Sequence, residues 1–338
     1  MYELHVWGRI AELPSFDADC LAAMLYLELA DGPTDEYLVV PSSNPLVSPD
    51  MRLPALRKDG KIVASGILEV LRFLKSQDVV LPTPDPARDT VLSTYVSETL
   101  QPISLYIQRL HVLHFQYIFR PGLFALLPPS LARYAASLWM MNNAKHRIAH
   151  VYNLDLAENS PDNLRQQQLG GSGAENAVPG FSFFKKQTIK YAAVSKDVPQ
   201  SVVDRVKQAI GGATSSVGVV RGGSEEFGAV MRMLSVATEG YAPIEDALSG
   251  GDLFLFGDRP GTADVFLIAH LLVQTVPSYS VSFVNAVIDE KFPRIKKYIE
   301  NHRDLLKELD EALALQQAKV DPADQLTVGS IFRYFSGL

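Results

Sequence analysis

A single cysteine, Cys20, in 338 residues leaves no partner for an internal disulfide and points to a reducing compartment. Met1 is followed by a strand-like segment where a signal peptide would carry a basic region and an apolar run, so no cleavable leader is expected. Long apolar stretches are scarce: Val265 to Val276 is interrupted by His270 and Gln274 and falls short of the ~20 residues of a spanning helix. The formal charge of −7 argues against nucleic acid as a partner, because phosphate backbones are held by clustered lysine and arginine. No glycine-rich phosphate loop is present, since Gly170-Gly171 and Gly222-Gly223 lack both the lysine and the strand-to-helix context. The last absence is local: from Thr99 to Leu154 there is no aspartate or glutamate.

What the chain does have is an ordinary globular composition, 47% hydrophobic and 20% charged, in a length that favours two packed subdomains. Tyr2 to Trp7 reads as a strand, and Asp17 to Ala30 as a helix with its stripe at Leu21, Met24, Leu25 and Leu27 to Leu29. Glu36 to Val40 reads as a second strand. Leu53 to Arg57 and Lys61 to Ala64 flank Asp59-Gly60, a dipeptide suited to a tight hairpin, and a helix follows from Gly66 to Gln77. The order βαβ then ββα is that of a thioredoxin-like unit over residues 1–80.

Three alternating prolines at Pro82, Pro84 and Pro86 mark a linker over 81–87. Residues 88–320 read as an all-α domain, with helical periodicity over Ala87 to Asn153, Val198 to Ile210, Phe227 to Ala237, Thr262 to Val276 and Val281 to Lys319. A stretch rich in Gly, Asn, Gln and Ser near 158–190 is expected to be a flexible insertion, and 321–338 a C-terminal tail with a short aromatic run from Ile331 to Phe335.

Leu53-Pro54-Ala55-Leu56 before the hairpin, the Val63 to Leu68 turn after it and the Gly257 to Asp264 block opening a late helix resemble a glutathione transferase. The resemblance implies a cis proline at Pro54. It is closer to the metaxins, the glutathione-transferase-like cytosolic subunits of the mitochondrial sorting and assembly machinery. Trp7-Gly8 with Leu13-Pro14-Ser15, the Ser43 to Arg57 stretch with Asn44-Pro45, Ser48-Pro49 and Leu53-Pro54, and the Gly257 to Asp264 block carry it. The length and the Ser43 to Arg57 stretch favour the larger, outer subunit of that machinery.

Within this resemblance Ser15, Pro54, Ala64 and Ser65 stand at the glutathione-site positions, and they read as vestigial. A transferase has an acid or amide where Ala64 stands, to hold the tripeptide's amino group, and a hydroxyl or thiol near the first helix to stabilise the thiolate. Ser15 has the right place for that hydroxyl, but Ser15 or Asp17 also fits as the cap of the helix that follows. Ser65 retains the means to meet a carboxylate at a helix start. Cys20, inside an amphipathic helix, reads as a small buried apolar residue. In the Gly257 to Asp264 block the transferase's hydroxyl cap is replaced by Gly261, leaving Asp264 to reach back to the helix start. His111 with His114 and His146 with His150 have one-face helical spacing, yet no third ligand accompanies them and the glutamate of a metalloprotease helix is absent. No catalytic residue, metal or cofactor is expected.

The acid-free stretch holds Arg109, Arg120, Arg133, Lys145 and Arg147, whereas residues 1–80 carry 12 acidic and 7 basic side chains. It is also rich in aromatics. One reading makes it the buried centre of the helical domain. The other makes Phe119, Arg120, Phe124, Arg133, Tyr134 and Trp139 a surface facing the membrane or a partner. The resemblance implies a non-enzymatic subunit on the cytosolic face of the mitochondrial outer membrane that helps insert β-barrel proteins, bracing the complex and supporting precursor release. Its partners would be a membrane-embedded barrel subunit, a second metaxin-like subunit, and further the import pore, β-barrel precursors and the outer-membrane surface. An active glutathione transferase and a glutathione-transferase-like module of another complex are the alternatives.

Overall fold

The computed structural model describes residues 1–10, 12–127, 131–152, 198–205, 223–250, 252–276, 283–307 and 309. The expected insertion, the tail, and the side chain of His150 lie outside these residues.

The first unit follows the sequence reading closely. Strand β1 (Tyr2–His5) leads through a loop to helix α1 (Ala18–Leu29), then come β2 (Tyr37–Val40), β3 (Ala55–Lys58), β4 (Lys61–Ser65) and helix α2 (Ile67–Ser76). The sheet order is β2-β1-β3-β4, with β1 parallel to β2 and antiparallel to β3. Register is pinned by Tyr2 opposite Tyr37 on one side and Leu4 opposite Leu56 on the other. The Asp59-Gly60 hairpin closes β3 on β4, with positive φ at both residues, the conformation that dipeptide was expected to supply. The Leu53–Pro54 peptide is cis, as the resemblance implied.

Helix α1 is capped by Asp17, whose carboxylate accepts from the Cys20 amide, and it is buried on almost every side. A helix apolar all round belongs in a core, and α1 packs against α2 and the second unit together. Helix α2 is instead amphipathic, burying Val70, Leu71 and Leu74 while Glu69 and Arg72 stay at the surface. A bridge between Asp31 and Val80 ends this unit, each amide donating to the other's carbonyl.

The linker is shorter than the prolines implied. Pro86 opens helix α3 (Pro86–Leu105) at its first position, where a missing amide costs nothing, and Asp85 caps it. Two π-helical turns, Tyr106–Leu110 and Phe115–Phe119, lead into α4 (Arg120–Leu126), followed by α5 (Leu131–Tyr152), α6 (Gly223–Ala247), α7 (Thr262–Thr275), α8 (Phe283–Lys291) and α9 (Pro293–His302). Within the described part of the 281–319 helical stretch, Pro293 separates α8 from α9, taking the first position of α9.

Helix α7 is the axis of the second unit, buried from Thr262 through Gln274 and packed on α3 and α1. The apolar run containing His270 and Gln274 is therefore a core helix. Its polar members are paired: Ser104 Oγ lies 2.9 Å from His270 Nδ1, and Gln274 Nε2 donates to Ser104 Oγ and to the Leu100 backbone carbonyl, while the Tyr241 hydroxyl donates to Gln274 Oε1.

The first turn of α7 accounts for Gly261. Asp89, on α3, accepts from the Thr262 amide at 3.0 Å and the Ala263 amide at 2.8 Å. Asp264 reaches back to the Gly261 amide at 2.9 Å and also accepts from the Leu255 amide and the Tyr298 hydroxyl. A Cβ on Gly261 would stand 2.4 Å from Asp89 Oδ1, so the cap's side chain is missing because a carboxylate from another helix fills its place.

Asp89→Ala, leaving two buried amides unpaired, is expected to cost about 2–3 kcal/mol. Gly261→Ser alone should cost about 1–3 kcal/mol by overpacking. The double variant should lose clearly less than the sum, since the serine can then cap in the vacated space, and urea denaturation of the four proteins measures it.

Candidate functional site

Ser65 ends β4 and Gly66 turns the chain into α2 with φ of 80°. A Cβ there meets nothing within 4 Å, so the glycine is required by backbone conformation and not by crowding. In a ligand-binding version of this turn, the serine amide and hydroxyl would face outward for a carboxylate. Here both are taken. The Ser65 amide donates to Glu69 Oε2 at 3.1 Å, and the Ser65 hydroxyl lies 2.5 Å from Ser48 Oγ. Ala64 is buried opposite Leu56 in the sheet, and the Pro54 carbonyl accepts from the Gly66 amide.

The Ser43 to Ser48 stretch supplies this closure. Ser43 adopts positive φ and accepts from the Gly8 amide at 3.0 Å. Asn44 caps a single helical turn at Pro45–Val47 by accepting from the Leu46 amide, which delivers Ser48 to Ser65. Ser43, Asn44 and Ser48 are all buried, so the loop is a polar plug laid between Gly8 and the Ser65 turn. Sequence reasoning singled out its Asn-Pro and Ser-Pro spacing without the contacts that explain it. Ser65, expected to retain the means to meet a carboxylate, instead meets one of the chain's own.

Ser15 is fully buried, and its hydroxyl accepts from the Asp17 amide at 3.4 Å; the cap of α1 is Asp17. Cys20 is buried beneath it, its sulfur accepting from the Trp7 amide at 3.5 Å, and burial pushes the thiol pKa well up. A thiol held protonated in this way is not a nucleophile.

Where the two units meet, Arg109 and Asp17 come together with Asp19, an acid that sequence reasoning passed over. Arg109 pairs with Asp17 at 2.7 Å, and burial pushes its guanidinium down while the carboxylate opposes that shift. The half-buried Asp19 accepts from the Gln101 amide nitrogen. Burial, and then the Asp17 carboxylate, push its pKa up to about 7 against the pull of Arg147, Arg109 and Arg52. Arg109 and Arg147 thus answer acids of the first unit.

His111 and His114 are buried in the turn between the two π-helical segments. The His114 amide donates to His111 Nδ1, and His114 Nδ1 lies 3.4 Å from the Gln108 carbonyl. Burial lowers both to about 4, and they are neutral core groups at pH 7. Among the described residues no three His, Cys, Asp or Glu side chains come together as a metal site.

The expected membrane or partner face divides in two. Phe119 does not reach it: its ring is buried 5.1 Å from Phe16 in edge contact, because the π-helical turn rotates it toward α1's entry loop. Gly122 and Gly8 allow the same close approach, since a Cβ on Gly122 would strike Ile10 at 2.5 Å and one on Gly8 would meet Leu126 at 2.9 Å. The other five residues stay on or near the surface. Phe124 and Tyr134 make an edge contact at 4.8 Å, and Arg120 and Arg133 each lie within 6 Å of both ring centroids. Tyr134 is 42% and Trp139 36% exposed.

Two family models match the chain. One is Tom37, described as an outer mitochondrial membrane transport complex protein, over residues 20–137. The other is the glutathione S-transferase C-terminal domain, over residues 228–301. The two matches together are consistent with a metaxin-like protein of glutathione-transferase-like fold. Its fold is that of a glutathione transferase, a mixed four-stranded sheet with helices followed by a helical domain. No curated protein matches it. The Tom37 match includes the Ser43 to Ser48 plug, the Ser65 turn and the Arg120 and Arg133 cluster, whereas the transferase match covers α7 and its Asp264.

Two outcomes follow from this geometry. Ser48→Ala should cost about 1–2 kcal/mol by stranding the Ser65 hydroxyl, and Ser48→Ala/Ser65→Ala should cost less than the sum of the two single changes, as read from denaturant midpoints. Depressed pKa values near 4 at His111 and His114 and near 3 at His270 mean that the unfolded chain binds protons first as pH falls below 6.5. Their contribution to stability is complete above 6.5 and is lost as pH drops toward 4, at up to about 1.4 kcal/mol per unit for each ring. Imidazole resonances of all three should remain those of neutral rings at pH 5.

Proposed function

We propose that this chain is a non-enzymatic subunit of the mitochondrial outer-membrane machinery that inserts and assembles β-barrel proteins, standing on the cytosolic face, bracing the complex and supporting precursor release. One observation carries the reading: the serine turn that would grip a peptide cofactor has its amide on Glu69 and its hydroxyl on Ser48, in a chain whose residues 20–137 resemble an outer mitochondrial membrane transport complex protein. Work of this kind needs area more than a pocket, with affinity concentrated in a few aromatic or arginine anchors. A membrane-embedded barrel subunit and a second metaxin-like subunit are the partners this reading requires, with the import pore and β-barrel precursors as further contacts. Among the described residues no helix is long and apolar enough to cross a membrane.

Outer membranes solubilised gently should yield the chain together with a β-barrel membrane protein. Recovery of the chain alone would overturn the assembly reading. The purified protein should pass through glutathione-agarose and leave a general electrophile unchanged. Retention and turnover that disappear in Ser65→Ala would restore the transferase alternative.

A further inference from the structure

Arg120 and Arg133 are unusual within the acid-free stretch. Arg109 is matched by Asp17, and Arg147 lies in the field of Asp19, so these cations are accounted for by the first unit. Arg120 and Arg133 instead flank the same two rings, at 5.2 and 5.0 Å from Phe124 and 5.6 and 5.5 Å from Tyr134. The Nε atom of each is buried with no hydrogen-bond partner, and no carboxylate pairs with either among the described residues. Two like charges held against one aromatic pair repel each other, and the rings offset that repulsion by about 0.5–1 kcal/mol for each cation. An anion between or over the guanidinium planes would relieve the rest, and the guanidinium fork suits phosphate oxygens.

We propose that this cluster binds the phosphate groups of anionic phospholipids and seats α4 and the start of α5 on a membrane surface. The proposal rests on the outer-membrane reading above and adds the ligand chemistry and the residues. Lipid is favoured over an acidic protein by what surrounds the cluster. Along α5 the exposed side chains continue as Leu138, 48% exposed, and Trp139, 36% exposed, which suit the boundary between headgroups and acyl chains. No acid occurs anywhere from Thr99 to Leu154, so nothing in this stretch opposes the uniform negative potential of a bilayer.

The full chain is to be floated with vesicles of phosphatidylcholine alone and with vesicles in which part of the lipid is phosphatidylserine. Binding is expected on the anionic vesicles, weakening as salt is raised. Arg120→Gln/Arg133→Gln should lower the partition coefficient roughly thirty-fold, at about 1 kcal/mol for each arginine. Lys61→Gln/Lys297→Gln, with the same net charge and both sites exposed, should leave it near the parent value. Trp139 emission should shift to the blue on these vesicles, and that shift should vanish in Trp139→Phe, a change that leaves the arginine cluster intact. Equal binding to neutral vesicles, no binding to either kind, or an equal loss in the lysine control would overturn the proposal. So would an arginine variant that keeps its lipid partition but loses the barrel protein from detergent extracts, since the cluster would then serve a protein contact. A chain that fails to float but still co-purifies with a barrel protein ends the lipid proposal alone. Flotation without co-purification ends the assembly reading alone.

Discussion

The first turn of α7 is buried where water cannot reach its amides, and the carboxylate of Asp89 supplies what that turn lacks. Everything central in the helical domain is arranged around this pairing. Because Asp89 sits one turn into α3, the cap fixes the start of α3 against the start of α7, and α7 then presents its opposite side to α1. Asp264 extends the same linkage to the Leu255 amide and to Tyr298 on α9. Two carboxylates so close in a core are tolerable because each faces backbone amides. Burial still raises Asp264 to about 6, with the amide of Leu255 the leading opposing influence. The transferase resemblance in this block is thus preserved in its architecture, while the side chain that normally caps the helix has been replaced by one from elsewhere in the chain.

A similar substitution of internal for external partners governs the Ser65 turn. An anion arriving there would have to displace Glu69 from the Ser65 amide and break the Ser48 contact, exposing hydroxyls that are now buried. A site whose donors are satisfied by the protein gains little from a ligand, because each new hydrogen bond replaces one already made. Ser15 and Cys20 reinforce the same conclusion on the other side of Trp7, the one as an acceptor for the Asp17 amide and the other as a buried thiol. The Ser15, Cys20 and Ser65 side of the first unit is part of its core.

Much of the first unit was legible because its signals are local. Alternation in Tyr2 to Trp7, Asp59-Gly60 and the stripe of α2 each depend on a few adjacent residues, and they place the sheet and helices within a residue or two. Asp89 was invisible for the opposite reason: its partners stand more than 170 positions away, and nothing in the local pattern distinguishes it from any helix-start acid. Gly261 carried half the information, as a missing cap, without saying what replaced it. Phe119 was misplaced because composition alone groups it with its aromatic and arginine neighbours, whereas the π-helical turn immediately before α4 buries its ring.

Charge polarisation between the two units first looked like a single property of the acid-free stretch, and it resolves into two. Arg109 is paired with Asp17, and Arg147 acts on Asp19 only at longer range, so part of the basic excess belongs to the internal fit of the units. Were that the whole account, the remaining arginines would be expected to find acids or solvent. Arg120 and Arg133 lie instead on aromatic faces, with no carboxylate paired to either among the described residues, whereas Arg109 has Asp17. Leucine or methionine would pack against Phe124 and Tyr134 without removing the arginine Nε atoms from water. A negative surface, which the isolated chain does not contain, would meet both cations at once.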